Sequence, residues 1–222
     1  MCTVSYISHN NGFTLTSNRD EDPLRKTLAP QKLTNIEGQT VVAPIDEENN
    51  GTWIAASDGR VACLLNGAFV KHQRNLPYRK SRGLIVLEAF EHSSFSDFVE
   101  EVDLHNIEPF TLVLAEKGKL QVLIWDETTK HHEVLDHTKS HLWSSSTLYT
   151  RDAHKIKLNF FNNFISEGNL GSEKILDLHG LNDDNLFILN RPKVRTVSIT
   201  QFVSDSEEIN LDYNLKRESV SA

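Results

Sequence analysis

The second residue of the 222-residue chain is a cysteine, and its position gives it two reactive groups. Because cysteine is small, we expect Met1 to be removed in the cell, which leaves Cys2 with a free α-amine beside its thiol. The unperturbed pKa is about 7.7–8.0 for the amine and about 8.5 for the thiol. A neutral amine can therefore accept the thiol proton near neutral pH, so that nucleophile and base share one residue. The alternative is an ordinary residue at the start of a strand.

A charged motif, Asn18-Arg19-Asp20-Glu21, closes the first predicted hairpin. The hairpin returns the chain alongside the strand that begins at Cys2, so Arg19 and Asp20 are predicted to lie beside it. A guanidinium there lowers the pKa of the thiol. A carboxylate there can hold the α-amine by a charge-assisted hydrogen bond. A solvated turn is the alternative interpretation of such a charged run.

Asn66 ends a predicted central strand, residues 61–66, that is largely apolar. A neutral side-chain amide at the end of such a strand can donate a hydrogen bond to a developing oxyanion. An asparagine in this place also commonly caps a turn. Both interpretations of Asn66 stay open on the sequence alone.

The elements that position these residues follow from turn signals and periodicity. Two hairpins are predicted, with strands at residues 3–8 and 13–17 and at residues 52–57 and 61–66. Further strands are predicted at residues 110–115, 120–125 and 195–203, and helices at residues 81–92, from Ser96, and at residues 153–165. Because antiparallel hairpins dominate, the sequence predicts an α+β fold of stacked layers, with helices outside antiparallel sheets.

Two segments are predicted to serve structure rather than chemistry. The helix at residues 153–165 carries an apolar face made of Ile156, Phe160, Phe161 and Phe164. A polar stretch contains His131, His132, His137 and His141. It lacks the cysteine or carboxylate pattern of a metal or haem-iron site, so we predict an exposed hairpin and no metal.

Composition limits the class of protein. The formal net charge of −8 disfavours nucleic acid as a partner. Two cysteines, no signal-peptide pattern and no apolar run of membrane-spanning length predict a soluble, cytoplasmic protein without a membrane span. We expect one domain over residues 1–213 and a loose tail over residues 214–222.

The motifs together resemble the Asn-Arg-Asp-Glu motif family, which carries the transport and Golgi organisation name. Beside Cys2 and Asn18-Arg19-Asp20-Glu21, the resemblance rests on pieces in the same order. They are Gly51-Thr52-Trp53-Ile54, Leu64-Leu65-Asn66, Ser81-Arg82-Gly83, Phe110-Thr111-Leu112-Val113, Trp143-Ser144-Ser145-Ser146 and Arg195-Thr196. The resemblance covers residues 2 to about 203, nearly the whole chain.

That family is similar to the cysteine N-terminal-nucleophile amidases, among them bile-salt and penicillin V acylases. The resemblance implies a four-layer αββα sandwich in which Cys2 is nucleophile and base, and Arg19 is a charge partner of its sulfur. It implies that Asp20 orients the amine, although the amidases' spacing matches Asp22, which shares a face with Asp20 in an extended strand. Arg195 resembles a late active-site arginine.

One departure from the family pattern bears on activity. Where the family has Ser-Asn, this chain has Ser144-Ser145, so that Ser145 stands in the place of a second oxyanion donor. Two functions follow as alternatives, neither with a predicted cofactor. One is a hydrolase of linear, non-peptide acyl amides that uses Cys2 and Asn66. The other is a non-enzymatic binding or trafficking protein for a lipid, an acyl-coenzyme A or haem.

Overall fold

A computed structural model describes residues 3–34, 38–168, 170–205, 209 and 211–216. These residues form thirteen β-strands and four α-helices. The strands are β1 (Thr3–His9), β2 (Gly12–Glu21), β3 (Thr27–Thr34), β4 (Thr40–Asp46), β5 (Ile54–Ser57), β6 (Arg60–Asn66), β7 (Phe110–Glu116), β8 (Lys119–Trp125), β9 (Lys130–Leu135), β10 (His141–Ser144), β11 (Asn190–Arg191), β12 (Val194–Val203) and β13 (Leu211–Leu215). The helices are α1 (Arg82–Glu88), α2 (Phe95–Glu101), α3 (Arg151–Ser166) and α4 (Ser172–Leu178). The predicted α+β class is confirmed.

The strands form two antiparallel sheets. The six-stranded sheet has the order β10-β1-β2-β12-β11, with β13 also paired to β12. The seven-stranded sheet runs from β3 through β9 in chain order. Both predicted hairpins are present, and Thr3 pairs with Asn18 at the open end of the first one. This register brings the start of β1 beside the charged end of β2.

Three apolar clusters separate four layers of secondary structure. Residues such as Phe13 and Val113 pack between the two sheets. Phe98 of α2 belongs to a second cluster that covers the outer face of the seven-stranded sheet. A third cluster joins Ile7 of β1 to Phe161 of α3 on the outer face of the six-stranded sheet. The layers therefore follow the order helix, sheet, sheet, helix, which is compatible with the sandwich implied by the resemblance.

The histidine-rich stretch differs from the prediction. Strand β9 pairs with β8 in the seven-stranded sheet, whereas β10 pairs with β1 in the six-stranded sheet. The predicted hairpin is therefore wrong, because the chain crosses from the edge of one sheet to the edge of the other. Local alternation of residues identifies a strand but not the sheet that it joins.

Helix α3 packs three of its four predicted apolar residues, Phe160, Phe161 and Phe164, into the third cluster, but not Ile156. Phe161 is buried, but Ile156 is 56% exposed, and Lys157 is 4% exposed. The helix is rotated so that a lysine, not an isoleucine, faces the sheet. None of the helices in the described part of the chain is long and apolar enough to cross a bilayer.

Two boundaries fall elsewhere than predicted. Helix α2 begins after Ser94, whose hydroxyl accepts a hydrogen bond from the Asp97 amide, rather than at Ser96. The expected loose tail from residue 214 starts inside β13, where Asn214 pairs with Ile199. Regular structure therefore continues at least two residues beyond the predicted end of the domain, to Leu215.

Candidate active site at the ends of the central strands

Arg19 is a charged residue that is almost fully buried at the end of β2. Its side chain is 2% exposed and lies between the two sheets. The Nη2 atom donates to Asp46 Oδ2 over 2.8 Å, and the guanidinium carbon lies 4.5 Å from the ring centroid of Trp53. Burial lowers the pKa of Arg19 below its ordinary value, while the charges of Glu21 and Asp46 act against that shift. Because the ordinary pKa of arginine is so high, the Arg19 guanidinium stays charged despite this shift. Its contacts with Asp46 and Trp53 fix its position.

Asp46 is a residue of this candidate site that the sequence analysis missed. Its carboxylate binds Arg19 and also accepts hydrogen bonds from Arg25 Nε at 2.6 Å and Arg25 Nη2 at 3.1 Å. Burial by itself raises the pKa of Asp46, but the hydrogen bond and charge of Arg25 and the charge of Arg19 hold it below its usual range. One carboxylate thus anchors two guanidinium groups. Its only sequence signal is a polar loop that starts directly after an apolar strand.

Arg19 and Arg195 line one cavity of about 730 Å³, together with Arg25. The Cα atom of Arg195 pairs with that of Glu21, which places both arginines at the same end of neighbouring strands. A smaller cavity of about 70 Å³ is lined by Arg19, Trp53 and Asn66, and so reaches the end of β6. The structure thus brings Arg19, Arg195 and Asn66 to one end of the central strands.

Two glycines allow backbone segments to meet beside the smaller cavity. A Cβ atom on Gly51 would lie 2.7 Å from the carbonyl carbon of Gly83, which is too close for any side chain. The Thr52 amide donates to the Gly83 carbonyl oxygen at 3.1 Å. The contact fastens the start of α1 to the segment that carries Trp53, which supports Arg19. Only glycine fits this close approach.

Asp20 lies on the opposite face of β2 from Arg19, as successive residues of a strand do. Its Oδ2 atom accepts a hydrogen bond from Tyr149 Oη at 2.6 Å, and its Oδ1 atom accepts one from Thr196 Oγ1 at 2.6 Å. Asp22 is exposed instead, and its side chain accepts a hydrogen bond from the Leu24 amide in a turn. Of the two candidate carboxylates, only Asp20 is therefore held inside the protein.

The first residue of the motif, Asn18, has a structural role beneath α4. Its amide donates to the carbonyl oxygens of His179 and Phe187 at 3.0 and 3.1 Å, and its Oδ1 atom contacts His179 Nδ1. His179 also lies 2.7 Å from Ser5 Oγ. Burial lowers the pKa of His179 to about 3, so this ring is neutral at physiological pH.

Ser145 does not line either of these two cavities, and its hydroxyl is already hydrogen-bonded. The residue is 1% exposed, and its Oγ atom donates to the backbone oxygen of Asn66 at 2.7 Å. Thr147 Oγ1 lies 2.8 Å from the same atom. Since a hydroxyl has one proton, the Asn66 contact uses it, and Thr147 must be the donor in the second contact. Ser145 thus joins the ends of β10 and β6 across the two sheets.

Cys2 lies outside the described residues. Its covalent neighbour Thr3 pairs with Asn18, the residue before Arg19. The Thr3 hydroxyl accepts a hydrogen bond from Lys157 Nζ at 2.6 Å. Lys157 is a second residue that the sequence analysis missed, because a lysine on an amphipathic helix predicts a solvated side chain.

The second cysteine, Cys63, is fully buried in the middle of β6. Burial raises the pKa of its thiol to about 12, against a weaker opposing effect of Ser17. Within the described ranges, no group of three or more histidine, cysteine or acidic residues is placed to hold a metal ion. His131, from the histidine-rich stretch, pairs with Asp126 at 2.7 Å.

Comparison with known families agrees with the motif resemblance. The family model described as Transport and Golgi organisation 2 matches residues 1–212. Because this match spans almost the entire chain, the protein belongs to that family. No curated protein shows significant similarity to the chain. Membership confirms the resemblance to the motif family.

Proposed function

We propose that this member of the Transport and Golgi organisation 2 family is a hydrolase of linear, non-peptide acyl amides that uses Cys2 as its nucleophile. The observation that carries the proposal is the placement of Arg19. Its buried guanidinium is held by Asp46 and Trp53. Arg19 is also the residue directly after Asn18, the strand partner of Thr3. A fixed positive charge in this place favours the thiolate form of a neighbouring cysteine.

The proposed reaction proceeds in two steps through a covalent intermediate. The α-amine of Cys2 takes the thiol proton, and the sulfur attacks the amide carbonyl to form a tetrahedral oxyanion. The C–N bond then breaks, the leaving amine receives the proton from the α-ammonium, and the acyl group stays on sulfur as a thioester. Water, activated by the same amine, attacks the thioester and releases a carboxylic acid. Thiol and amine return to their starting forms.

Three residues have distinct proposed roles around this chemistry. Asn66, at the end of β6 and on the small cavity beside Arg19, is the proposed oxyanion donor. Arg195 shares the larger cavity with Arg19 and is proposed to bind a polar group of the substrate. Asp20 is proposed to orient the α-amine of Cys2. Its carboxylate lies on the opposite face of β2 from Arg19, where Tyr149 and Thr196 donate hydrogen bonds to it.

The hydroxyl of Ser145 limits the expected rate. Its proton already binds the carbonyl of Asn66, so it is not available for the oxyanion without a rearrangement. Absence of one oxyanion donor lowers the turnover rate by roughly 10²–10³. We therefore propose a slow amidase, whose product must be sought with long incubations and sensitive detection.

The test is the release of product from a panel of N-acyl amides that differ in acyl length and in the charge of the leaving amine. Hydrolysis should occur with the natural protein and with Cys63→Ala, and be abolished in Cys2→Ala. The Cys63→Ala variant is the matched control, because it removes the other thiol of the chain. Product that forms equally with Cys2→Ala, or with none of the proteins, would refute the hydrolase.

A binding function has one observation in its favour. A third cavity, of about 680 Å³, lies beside Asn66 and is lined by five cationic side chains in a protein of net negative charge. They are Arg25, Lys71, Arg74, Lys80 and Arg82. Ion pairs neutralise much of this charge. Glu108 contacts Arg74 and Arg82 at 3.2 and 3.3 Å, Arg25 pairs with Asp46, and Lys80 pairs with Glu88. The remaining charge suits an anionic ligand such as an acyl-coenzyme A, a lipid headgroup or a haem carboxylate.

Titration calorimetry separates the two functions. If the protein is a carrier, affinity for an acyl-coenzyme A or haem should fall in the double variant Lys71→Ala, Lys80→Ala and remain in Cys2→Ala. Affinity that is lost in Cys2→Ala, together with Cys2-dependent product, would support the hydrolase and contradict the carrier.

A further inference from the structure

Lys157 is a buried cation directly behind the start of β1. It points from α3 toward the six-stranded sheet and is 4% exposed. Its Nζ atom donates to Thr3 Oγ1 at 2.6 Å and lies 3.5 Å from the centroid of the Tyr149 ring. The Phe187 ring centroid lies 5.6 Å away. No acidic group within the described ranges forms an ion pair with it.

The surroundings of Lys157 lower the pKa of its ammonium group. Burial lowers its pKa to about 8, Arg191 adds to the shift, and Asp20 opposes it. The other titratable groups near it are Tyr149, His154 and His179. Burial raises the pKa of Tyr149, and burial lowers the pKa values of both histidines. The pKa of Lys157 therefore lies closer to neutral pH than that of an ordinary lysine.

The ammonium also connects the elements that meet at this end of the sheet. Lys157 binds Thr3 of β1 and lies over Tyr149, whose hydroxyl donates to Asp20 of β2. Asp20 in turn binds Thr196 of β12. Through these contacts a single helix residue restrains three neighbouring strands, and the first of them is bonded to Cys2.

We propose that Lys157 is a positioning residue for Cys2: through Thr3 it fixes the start of β1, and its charge favours the thiolate of the neighbouring cysteine. This inference rests on the proposed role of Cys2. Packing alone does not explain the choice of residue, because a methionine would fill similar space without the desolvation of an ammonium that has no ion-pair partner among the described residues. The side chain therefore has a use that depends on its charge or its hydrogen bond.

The pH dependence of Cys2 alkylation tests this proposal without any need for turnover. Full-length protein is treated with iodoacetamide across a range of pH, and the rate at Cys2 is read by peptide mass spectrometry. Lys157→Met should raise the midpoint of the profile by about one pH unit, because a nearby cation that favoured the thiolate is lost. Lys157→Arg should return the midpoint close to its natural value.

A matched control lies on the same helix. Lys155 carries the same charge, but its side chain is 75% exposed, so Lys155→Met should leave the midpoint unchanged because solvent screens it. If Lys157→Met does not fold, Thr3→Val removes the acceptor while preserving shape, and it should also shift the midpoint. Folding is checked by circular dichroism and by continued protection of Cys63.

The outcomes separate this inference from the hydrolase. A shifted midpoint without amide hydrolysis supports the positioning role of Lys157. In that outcome only the hydrolase proposal is rejected. An unshifted profile in folded Lys157→Met and in Thr3→Val overturns the positioning role, whether or not turnover is found. Equal shifts in Lys157→Met and Lys155→Met would also overturn it, since the effect would then follow net charge.

Discussion

The hydroxyl of Ser145 donates to the backbone oxygen of Asn66 at 2.7 Å and thereby joins the ends of the two sheets. Ser145 stands where the family has an oxyanion donor, and Asn66 is the oxyanion donor that we propose. The contact therefore joins these two positions. An asparagine at position 145 has two amide protons, so one can keep this contact while the other faces the oxyanion.

Ser145→Asn should therefore increase the rate of amide hydrolysis, by up to roughly 10²–10³ if a full oxyanion donor is restored. Ser145→Ala should not increase it. Loss of a buried hydrogen bond in Ser145→Ala should lower the free energy of unfolding by about 1–2 kcal/mol. Initial rates at saturating acyl amide and urea unfolding check the two effects. A Ser145→Asn protein that folds but hydrolyses no faster would contradict the proposed place of this residue.

Removal of the Arg19 charge should make Cys2 less reactive. Arg19→Met leaves Asp46 paired with Arg25, so the variant is expected to fold. The midpoint of Cys2 alkylation should rise by about one to two pH units, because a desolvated cation near a thiol lowers its pKa by that order. Arg19→Lys should retain part of the effect. A midpoint unchanged in Arg19→Met would show that the guanidinium does not act on the thiol.

Asp46 should matter for stability more than for thiol chemistry. Asp46→Asn leaves the Arg19 charge buried without its partner, and loss of one member of a buried pair lowers the free energy of unfolding by roughly 3–5 kcal/mol. The exposed pair of Asp152 with Lys155 offers a control, since Asp152→Asn should change it by less than about 1 kcal/mol. Urea unfolding near neutral pH measures both. Equal effects of the two substitutions would contradict the anchoring role of Asp46.

The depressed pKa of Asp46 also sets the pH range of this effect. A carboxylate whose pKa is lower in the folded state stabilises the protein above its unfolded value of 3.8. That contribution is lost as the pH falls through the lower folded value. The difference between natural protein and Asp46→Asn should therefore be largest above about pH 5 and shrink under more acidic conditions.

His179 should make the fold sensitive to mild acid. Its pKa is about 3 when folded and has an ordinary value of 6.5. Between these values the unfolded chain binds a proton that the folded protein does not, so stability decreases as the pH falls below 6.5. The expected slope is up to about 1.4 kcal/mol per pH unit. His179→Gln should show a smaller slope in unfolding experiments at about pH 7.5 and about pH 5. Identical slopes would contradict the burial of a neutral ring.

The sequence predicts those parts of the fold that depend on local signals. Asn-Gly and Asp-Gly turns identify the first two hairpins, and alternation identifies β12. The same alternation cannot show that β9 and β10 join different sheets, because membership depends on pairing with distant strands. The bulge between Thr196 and Ser198 likewise arises from pairing with β2 and leaves no clear local signal.

The candidate site is predictable to a smaller extent. Register and motif place Arg19 and Arg195 at one end of the sheet, but Asp46 reaches Arg19 from a strand of the other sheet. Lys157 is hidden for a different reason, since a lysine in a helix usually predicts an exposed side chain. Its burial follows from a rotation of α3 that exposes Ile156, and only tertiary packing sets that rotation.

The intact mass of the protein during reaction with an acyl amide tests the central claim most directly. The natural protein is incubated with the substrate, quenched in acid and measured without digestion. We predict a chain that lacks Met1 and carries one additional acyl group, bound to Cys2, with no such adduct in Cys2→Ala. A chain that retains Met1, or one that forms product without any adduct on Cys2, would contradict catalysis by an N-terminal cysteine.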